Sequence, residues 1–314
     1  MTRMDCRRLG IASAVLLAVG IAGVFQDIGA QGQGPGRAED DPNLTYSRGQ
    51  SVIPMYEGWH PNPDGTIDLW FAYLNQNWQE RLHLPIGPNN RIEPAPYGPD
   101  GGQPTHFLPR MNYFAFAVRV PKDFDPKREV SWTITSYGQT LSAYATLNPG
   151  YLKDDIGMQR EHFGTPPPGN KAPVLTVEGE KQRTVKVGQS IELAAVATDD
   201  GLPRLGPSGT QADRDPAQRR NAGGGGGGRN GLRLAWYVYR GTNAVVFDPP
   251  QFKTWEDRYG GSPWAAFWVN PPIPAGNRWV THATFRVPGT YVLQAQTTDG
   301  KWLTTENVTF TVTP

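Results

Sequence analysis

The chain of 314 residues carries 30 Lys and Arg against 29 Asp and Glu, so its near-zero net charge gives no electrostatic reason to expect nucleic acid binding. Its 10 Trp, 12 Tyr and 12 Phe supply ample material for a core, and this length is typical of about two domains. With 37 Gly and 30 Pro, the composition favours many short strands and turns over long helices.

Residues 1–30 have the layout of a secretory signal peptide. Basic residues that include Arg7 and Arg8 precede an apolar run from Leu9 to Phe25, and small residues follow it. The run is shorter than the ~20 apolar residues of a membrane-spanning helix. We therefore predict export to the periplasm or the extracellular space, with membrane contact that is only indirect or through an uncleaved N-terminal segment.

Two segments of biased composition divide the rest of the chain. Residues 31–43, rich in Gly, Gln and acidic side chains, predict a disordered tether. Residues 165–173, TPPPGNKAP, contain consecutive prolines that fix φ and predict an extended linker. The predicted domains are residues 44–164 and 174–314. The only cysteine, Cys6, lies in the signal segment, so both domains must be held by core burial alone.

The N-terminal domain has the alternation of β-strands. Every second residue is apolar in several short stretches, and Gly138 marks a turn between two of them. These stretches are residues 67–73, 79–86, 114–120, 130–134 and 139–147. Several short antiparallel strands with one buried face each predict a β-sandwich.

The C-terminal domain has the same alternation and also carries four short motifs. They are VGQSIEL at 187–193, ATDDG at 197–201, PGTYVL at 288–293 and TDG at 298–300. On these motifs, residues 172–314 resemble polycystic-kidney-disease-type (PKD) and related bacterial immunoglobulin-like domains. The resemblance implies a seven-strand sandwich that serves as a spacer or a binding module. The fold prediction is therefore all-β, with two tandem antiparallel β-sandwich domains joined by a Pro-rich linker, the second immunoglobulin-like.

Two long insertions, residues 202–231 and 241–278, depart from the family pattern. Loops on a rigid sandwich carry function more often than its strands do. The first insertion contains an unbroken glycine run from Gly223 to Gly228. It lacks the Lys, the Ser or Thr and the helix start of a phosphate-binding loop, so it predicts a flexible polar loop.

The second insertion is rich in aromatic residues set between prolines. Trp and Tyr dominate interface hot spots, and proline limits the entropy lost on ordering. We predict a partner-binding surface formed by Trp255, Tyr259, Trp264, Phe267, Trp268 and Trp279. The alternative is that these rings roof the sandwich as a minor core.

Three carboxylates are predicted at the same end of the second sandwich as both insertions. If the strands follow immunoglobulin order, the loop after Ala197 and the loop at Asp299 lie at one edge. Asp199, Asp200 and Asp299 then form a candidate calcium site, because hard cations bind several oxygens. The alternative is that Asp-Gly marks plain turns. No other cofactor is predicted.

Residues typical of catalysis are few. The histidines form no pair at i, i+4 and have no neighbouring Cys, so we predict ordinary surface residues rather than a zinc site. They are His60, His83, His106, His162 and His282. Glu57 is the most interesting carboxylate, because its aromatic neighbours Tyr56 and Trp59 could make it a general acid. A glycosidase needs a second carboxylate, which the sequence does not identify.

The leading functional prediction is an exported, non-catalytic binding or scaffold protein, an accessory or docking subunit of a larger envelope-associated assembly. Its predicted partners are other envelope or extracellular proteins, bound through the second insertion. The first alternative is a carbohydrate-binding module protein that recognises polysaccharide by stacking Trp and Tyr on sugar rings. The second is a glycoside-active enzyme that uses Glu57.

Overall fold

A computed structural model describes residues 46–153, 166–203, 231–254 and 271–314. They belong to one compact unit, Tyr46–Pro314, and consist of β-strands joined by loops and short 3-10 turns. The predicted all-β fold is confirmed. No helix in these four ranges is long and apolar enough to cross a membrane. The predicted signal peptide and tether lie outside the described residues.

Eight strands form the first sandwich. They are β1 (Val52–Pro61), β2 (Ile67–Asn75), β3 (Leu82–His83), β4 (Asn90–Glu93), β5 (His106–Phe107), β6 (Arg110–Val120), β7 (Val130–Ser136) and β8 (Gln139–Ala145). Two sheets in the orders β1-β2-β6 and β4-β7-β8 share one core, and β3 pairs with β5 in a small third sheet. All of these pairings are antiparallel.

Aromatic rings from both large sheets fill the first core. Phe71 on β2 stacks on Phe116 of β6 with ring centroids 5.2 Å apart. Trp132 on β7 is fully buried, meets Phe116 edge-on at 4.8 Å, and donates its indole N–H to Asn90 Oδ1 at 2.9 Å. The buried Asn90 donates in turn to the carbonyl of Pro104 at 2.8 Å. The core therefore also fixes the loop that precedes β5.

A bulge in β6 turns one aromatic side chain away from this core. The β2–β6 register shifts between Phe71 and Tyr73. Phe114 has a φ of +46°, in the left-handed region that bulky residues rarely adopt. Its ring meets Trp70 edge-on at 5.9 Å and belongs to a small cluster with Leu303 of the second sandwich. The first sandwich thus presents an aromatic residue to the second.

Eight further strands form the second sandwich. They are β9 (Val174–Val177), β10 (Gln182–Lys186), β11 (Ser190–Thr198), β12 (Arg233–Arg240), β13 (Val245–Asp248), β14 (Arg278–Phe285), β15 (Gly289–Thr298) and β16 (Leu303–Thr313). Its sheets have the orders β13-β14-β11-β9 and β10-β16-β15-β12. Among the described strands, β10 with β16 is the one parallel pairing.

This strand order is that of an immunoglobulin sandwich. In immunoglobulin letters, β9 and β10 are two parts of strand A divided between the sheets, and β11 to β16 are strands B to G. The predicted insertion 241–278 is not a single loop, because strand β13 lies inside it. Four residues, VVFD, are too few to show the alternation of a strand in the sequence.

The second core contains the fully buried Trp236, Phe285, Tyr291 and Phe310. The ring centroid of Phe285 lies 4.9 Å from that of Tyr291 and 5.2 Å from that of Phe310. Gly241, with a φ of +119°, passes so close to the Tyr291 ring that a Cβ would overlap it. Only glycine fits at this position, where β12 ends.

Candidate functional site

Three loops of the second sandwich emerge at one end. They connect β11 to β12 (the B–C loop), β13 to β14 (the D–E loop) and β15 to β16 (the F–G loop). The pairing of Val196 with Arg278 and of Arg233 with Thr298 brings the bases of these loops together. We call this end the rim. Its described residues are 199–203, 231–232, 249–254, 271–277 and 299–302.

A buried arginine joins two of the rim loops. Arg233, at the start of β12, is 1% exposed and donates through Nε to the carbonyl of Thr254 in the D–E loop at 3.0 Å. Its Nη1 donates to the carbonyl of Gly231, near the end of the B–C loop, at 3.0 Å. Burial lowers the pKa of Arg233 to about 10, so the guanidinium remains charged at neutral pH. Arg233 thus fixes the bases of both insertions.

Thr254 is fully buried where the aromatic part of the D–E loop begins. Its backbone N–H donates to Tyr237 Oη at 2.7 Å, and its hydroxyl donates to Gln296 Oε1 at 2.5 Å. Both partners lie on the second sandwich, on strands β12 and β15. Three side chains, those of Arg233, Tyr237 and Gln296, therefore hold the D–E loop at Thr254.

Lys253 ties the same loop to the first sandwich. Its Nζ donates to the carbonyl of Pro109 at 2.7 Å and to that of Met111 at 2.8 Å. Lys253 and Thr254 are adjacent, so the base of the D–E loop is bound to both sandwiches at once.

The contact between the sandwiches, which we call the seam, extends from the rim along β12. Thr105 donates its backbone N–H to the Tyr239 carbonyl at 3.1 Å, and its hydroxyl oxygen accepts from the Gly241 N–H at 3.0 Å. The Tyr239 hydroxyl donates to the carbonyl of Gly102 at 2.5 Å. Asn243 adds a hydrogen bond to the carbonyl of Arg81 at 3.1 Å.

Arg240 supplies the charged contact of the seam. Its guanidinium forms a two-pronged ion pair with Asp100 of the first sandwich, and its Nε donates to the carbonyl of Gln103. The hydrogen bonds from Arg240 hold the pKa of Asp100 below its ordinary value, against the opposing effect of burial. The pair therefore stays ionised through neutral and mildly acidic pH.

The sequence offers one signal for the seam. Strand β12 reads RLAWYVYR, in which Leu234, Trp236 and Val238 form the expected inward face. The other face carries Ala235 and Tyr237, which are buried as well, although β12 is an edge strand. An edge strand that is apolar on both faces indicates that a second body covers it.

The aromatic residues predicted to bind a partner have different positions in the structure. Five of them, Trp255, Tyr259, Trp264, Phe267 and Trp268, lie outside the described residues. Trp279 lies on β14 opposite Ala195 and packs, partly buried, against the second core. Ile273, on the return path of the D–E loop, is 51% exposed.

Asp299 is a buried turn residue of the F–G loop. Its Oδ1 accepts from the backbone N–H groups of Lys301 and Trp302, at 2.6 Å each, and its Oδ2 accepts from Asn170 Nδ2 at 2.7 Å. Burial raises the pKa of the Asp299 carboxyl, and these hydrogen bonds oppose the rise. Through Asn170, the carboxylate also fastens the Pro-rich linker to the rim.

Asp199 and Asp200 act on the turn that follows β11. Asp200 accepts from the N–H of Lys171 in the linker at 2.8 Å and from that of Leu202 at 2.9 Å. Asp199 accepts from the N–H of Gly201 at 3.0 Å. Burial raises the pKa of Asp199, and the nearby Asp299 adds to the rise.

These hydrogen bonds agree with the turn interpretation of the Asp-Gly motifs. In the part of the chain that the structure describes, no group of three or more His, Cys, Asp or Glu side chains could hold a metal ion. The geometry gives the calcium site at Asp199, Asp200 and Asp299 no support, and that site stays a prediction.

The prediction of surface histidines is wrong for His106. His282 is exposed on the outward face of β14, and His83 is exposed on β3, whereas His106 on β5 is only 2% exposed. The second sandwich buries it, since its neighbour Thr105 hydrogen-bonds to β12. A contact between two domains leaves no local pattern in the sequence around a single residue.

Glu57 lies at the bulge of β1 and is largely buried. The only carboxylate of the neighbouring strand β2 is Asp68, whose two oxygens accept from Arg119 at 2.8 and 2.9 Å. That carboxylate is engaged in an ion pair, so β2 supplies no ready second acid for a glycosidase mechanism.

Comparisons with known proteins leave the chain without a family. Neither a protein-family model nor a curated protein matches it. Among solved structures, the chain is similar to Sidekick-1 immunoglobulin domains 1–4 at 8% identity, covering 84% of this chain and 50% of that one with a TM-score of 0.23. It is similar to the D00-D0 domain of intimin at 9% identity, covering 83% and 99% with a TM-score of 0.24.

A third likeness is to fibronectin(III)-like modules of CbhA from Clostridium thermocellum, at 8% identity and a TM-score of 0.22, covering 87% of this chain and 92% of that one. The chain spans half of the Sidekick-1 structure and 27% of a structure of eight immunoglobulin domains from Down Syndrome Cell Adhesion Molecule. TM-scores this low carry no argument. The immunoglobulin-like assignment rests on the strand order alone.

Proposed function

We propose that the protein is an exported, non-catalytic docking subunit that binds another envelope or extracellular protein through its D–E loop. The observation that carries the proposal is the anchorage of that loop. Arg233, Thr254 and Lys253 bind its base to the second sandwich and to the first. A loop rich in Trp and Tyr whose base is anchored to both sandwiches is suited to holding a partner.

The fixed base of the D–E loop favours a partner-binding role for its aromatic rings over a role as a minor core. Association costs free energy for every segment that must be ordered, so a fixed base and several prolines reduce that cost. Trp and Tyr then contribute most of the interface energy. Trp255, Tyr259, Trp264, Phe267 and Trp268 are the proposed contact residues, and Trp279 is a partly buried support at the end of the loop.

The second sandwich is proposed to be PKD-type, on its motifs, and the assembly is proposed to be envelope-associated, on the predicted signal peptide. Polysaccharide recognition through the same rings remains the alternative. A glycoside-active role for Glu57 is the weaker alternative, because Asp68 is committed to Arg119.

The test is capture of the partner from a mild-detergent extract by the tagged full chain, with quantitative mass spectrometry. We expect the double substitution Trp264→Ala and Trp268→Ala to reduce capture roughly tenfold or more, as the loss of two hot-spot residues does. The control is Tyr144→Ala, on a residue of the first sandwich that is 57% exposed. It should leave capture unchanged.

Two results would count against the proposal. Undiminished capture by the double variant would remove the loop from the interface. A double variant that no longer folds, judged by its thermal midpoint, would show that the rings roof the sandwich as a minor core. Displacement of the captured protein by soluble polysaccharide would favour the carbohydrate alternative.

A further inference from the structure

A buried histidine lies at the centre of the seam. His106 on β5 is 2% exposed, and neither of its ring nitrogens makes a hydrogen bond of good geometry within the described residues. The preceding residue, Thr105, makes two backbone-directed hydrogen bonds to the second sandwich, one with Tyr239 and one with Gly241. Protonation of the His106 ring would therefore place a positive charge where the two sandwiches are joined.

The ring borders a cavity of about 40 Å³ between the sandwiches. Asn112 lines it from the first sandwich, and Tyr237, Tyr239 and Gln296 line it from the second. This volume has room for a water molecule or two. None of the residues that line the cavity is an Asp or Glu, so its walls offer no carboxylate to pair with an imidazolium.

Positive charges predominate around His106. Burial lowers its pKa to about 3, Arg81 and His83 add to the effect, and the backbone of Gly241 opposes it too weakly to compensate. Arg240 and Lys253 bring two further cations to the seam from the second sandwich.

The other titratable groups near the ring do not supply a counter-charge. Tyr73 and Tyr237 are buried and Tyr239 is partly buried, and burial raises the pKa of each hydroxyl, so they stay neutral. Asp100 is the carboxylate of the seam, and both of its oxygens are bound by Arg240.

We propose that His106 makes the seam acid-sensitive, so that protonation of its ring opens the contact between the two sandwiches. The inference stands independently of the docking proposal, since it concerns only the contact between the two halves of the chain. When the seam opens, the ring enters water and recovers an ordinary affinity for protons.

The His106 ring binds a proton more tightly in the open state than in the closed state. In the open state the His106 pKa is about 6.5, and in the closed state it is about 3. Well above pH 6.5 neither state is protonated and the seam is at its most stable. As the pH falls below that value, the open state binds a proton that the closed state excludes, so opening becomes more favourable. Between about pH 8 and pH 5 the equilibrium constant for opening should rise roughly 30-fold.

Hydrogen exchange at single-residue resolution measures this directly in the full chain. The reporters are the seam amides of Thr105 and Gly241, and the reference is the amide of Leu293 on β15, in the second core. After correction for intrinsic exchange rates, we expect the protection factors of both reporters to fall roughly 30-fold between about pH 8 and pH 5, with Leu293 unchanged.

Two variants identify the group responsible. His106→Gln removes the titration and should abolish the fall, whereas His83→Gln, which alters the neighbouring exposed histidine on β3, should retain it. A fall of equal size in His106→Gln would overturn the proposal, as would pH-independent protection in the wild type. If His106→Gln does not fold, the wild-type profile decides. A loss that begins near pH 6.5 supports the proposal, and a loss confined to pH values below about 4, where carboxylates titrate, contradicts it.

Discussion

Arg240 of the second sandwich and Asp100 of the first form a two-pronged ion pair, with N–O distances of 2.9 and 2.7 Å. The third donor, Nε of the same guanidinium, reaches the carbonyl of Gln103 at 2.9 Å. Only arginine presents donors in a planar fork that satisfies all three acceptors at once. This residue therefore contributes to the seam by geometry as much as by charge.

The substitution Arg240→Ala should lower the free energy of unfolding by about 1–2 kcal/mol, because Asp100 and the Gln103 carbonyl lose their donors. The loss stays moderate because the Asp100 side chain is 51% exposed and water can replace the arginine there. Urea unfolding followed by tryptophan fluorescence measures it. Arg91→Ala, which breaks an exposed ion pair with Glu93 inside the first sandwich, is the control and should cost less than about 1 kcal/mol. Equal losses would mean that the seam pair contributes no more than a surface pair.

Gly241→Ala should destabilise the protein strongly. The residue has a φ of +119°, and a Cβ there would overlap the ring of Tyr291, which is itself fully buried. We expect a loss of about 2 kcal/mol or more from strain and overpacking together. Gly138→Ala is the matched control, because Gly138 has a φ of +74° but open space around it. Its loss should be about 1 kcal/mol, from backbone strain alone. If the two variants were equally stable, the contact with Tyr291 would be unimportant.

Arg233→Met tests the anchorage of the rim loops. The side chain of methionine fills much of the same space but leaves the carbonyls of Gly231 and Thr254 without their donor, so we expect a loss of roughly 2–4 kcal/mol. Arg183→Met, at a partly exposed arginine that lies over the Phe310 ring, serves for comparison and should cost less than about 1 kcal/mol. Equilibrium unfolding in urea gives both values. An unchanged or more stable Arg233→Met variant would show that the buried guanidinium does not hold the loops.

Asp199→Asn should stabilise the protein at neutral pH. Burial raises the pKa of Asp199, so the folded chain binds a proton at this carboxyl more tightly than the unfolded chain does. The free energy of unfolding of the wild type therefore increases as the pH falls toward the raised pKa. Asparagine keeps an oxygen for the Gly201 N–H without the charge. Asp199 is only partly buried and water screens its charge, so we expect a gain of less than ~1 kcal/mol at pH 7 that shrinks on acidification. The measurement is the difference in unfolding free energy between variant and wild type at about pH 7 and pH 5. A variant that is less stable at neutral pH would refute the assignment.

The sequence predicts the strands well where one face of a sheet is buried. Alternation in segments such as 67–73 and 130–134 places Phe71 and Trp132 in the first core, and they meet there. The same reasoning places the three rim loops of the second sandwich at one end, because strand order follows from the immunoglobulin-like pattern. Local periodicity suffices for these features since each depends on neighbours a few residues away.

The seam could not be predicted in the same way. Arg240 and Asp100 are 140 residues apart, and nothing near either residue indicates the other. In the sequence, His106 follows a proline and a threonine and resembles a surface loop residue. In the structure, β12 covers it. Of the predicted contact surface, only Trp279 belongs to the residues that the structure describes, and it packs, partly buried, against the second core. The residues that join the two sandwiches are thus the ones that sequence patterns identify least.

The seam makes the two sandwiches one cooperative body that holds the base of the D–E loop. Differential scanning calorimetry of the full chain at neutral pH tests it most directly. We predict a single transition for the wild type, and two separated transitions for the double variant Arg240→Ala with Lys253→Ala, which loses the charged contacts of the seam. Two independent transitions in the wild type would contradict the account, because the sandwiches would then be separate bodies.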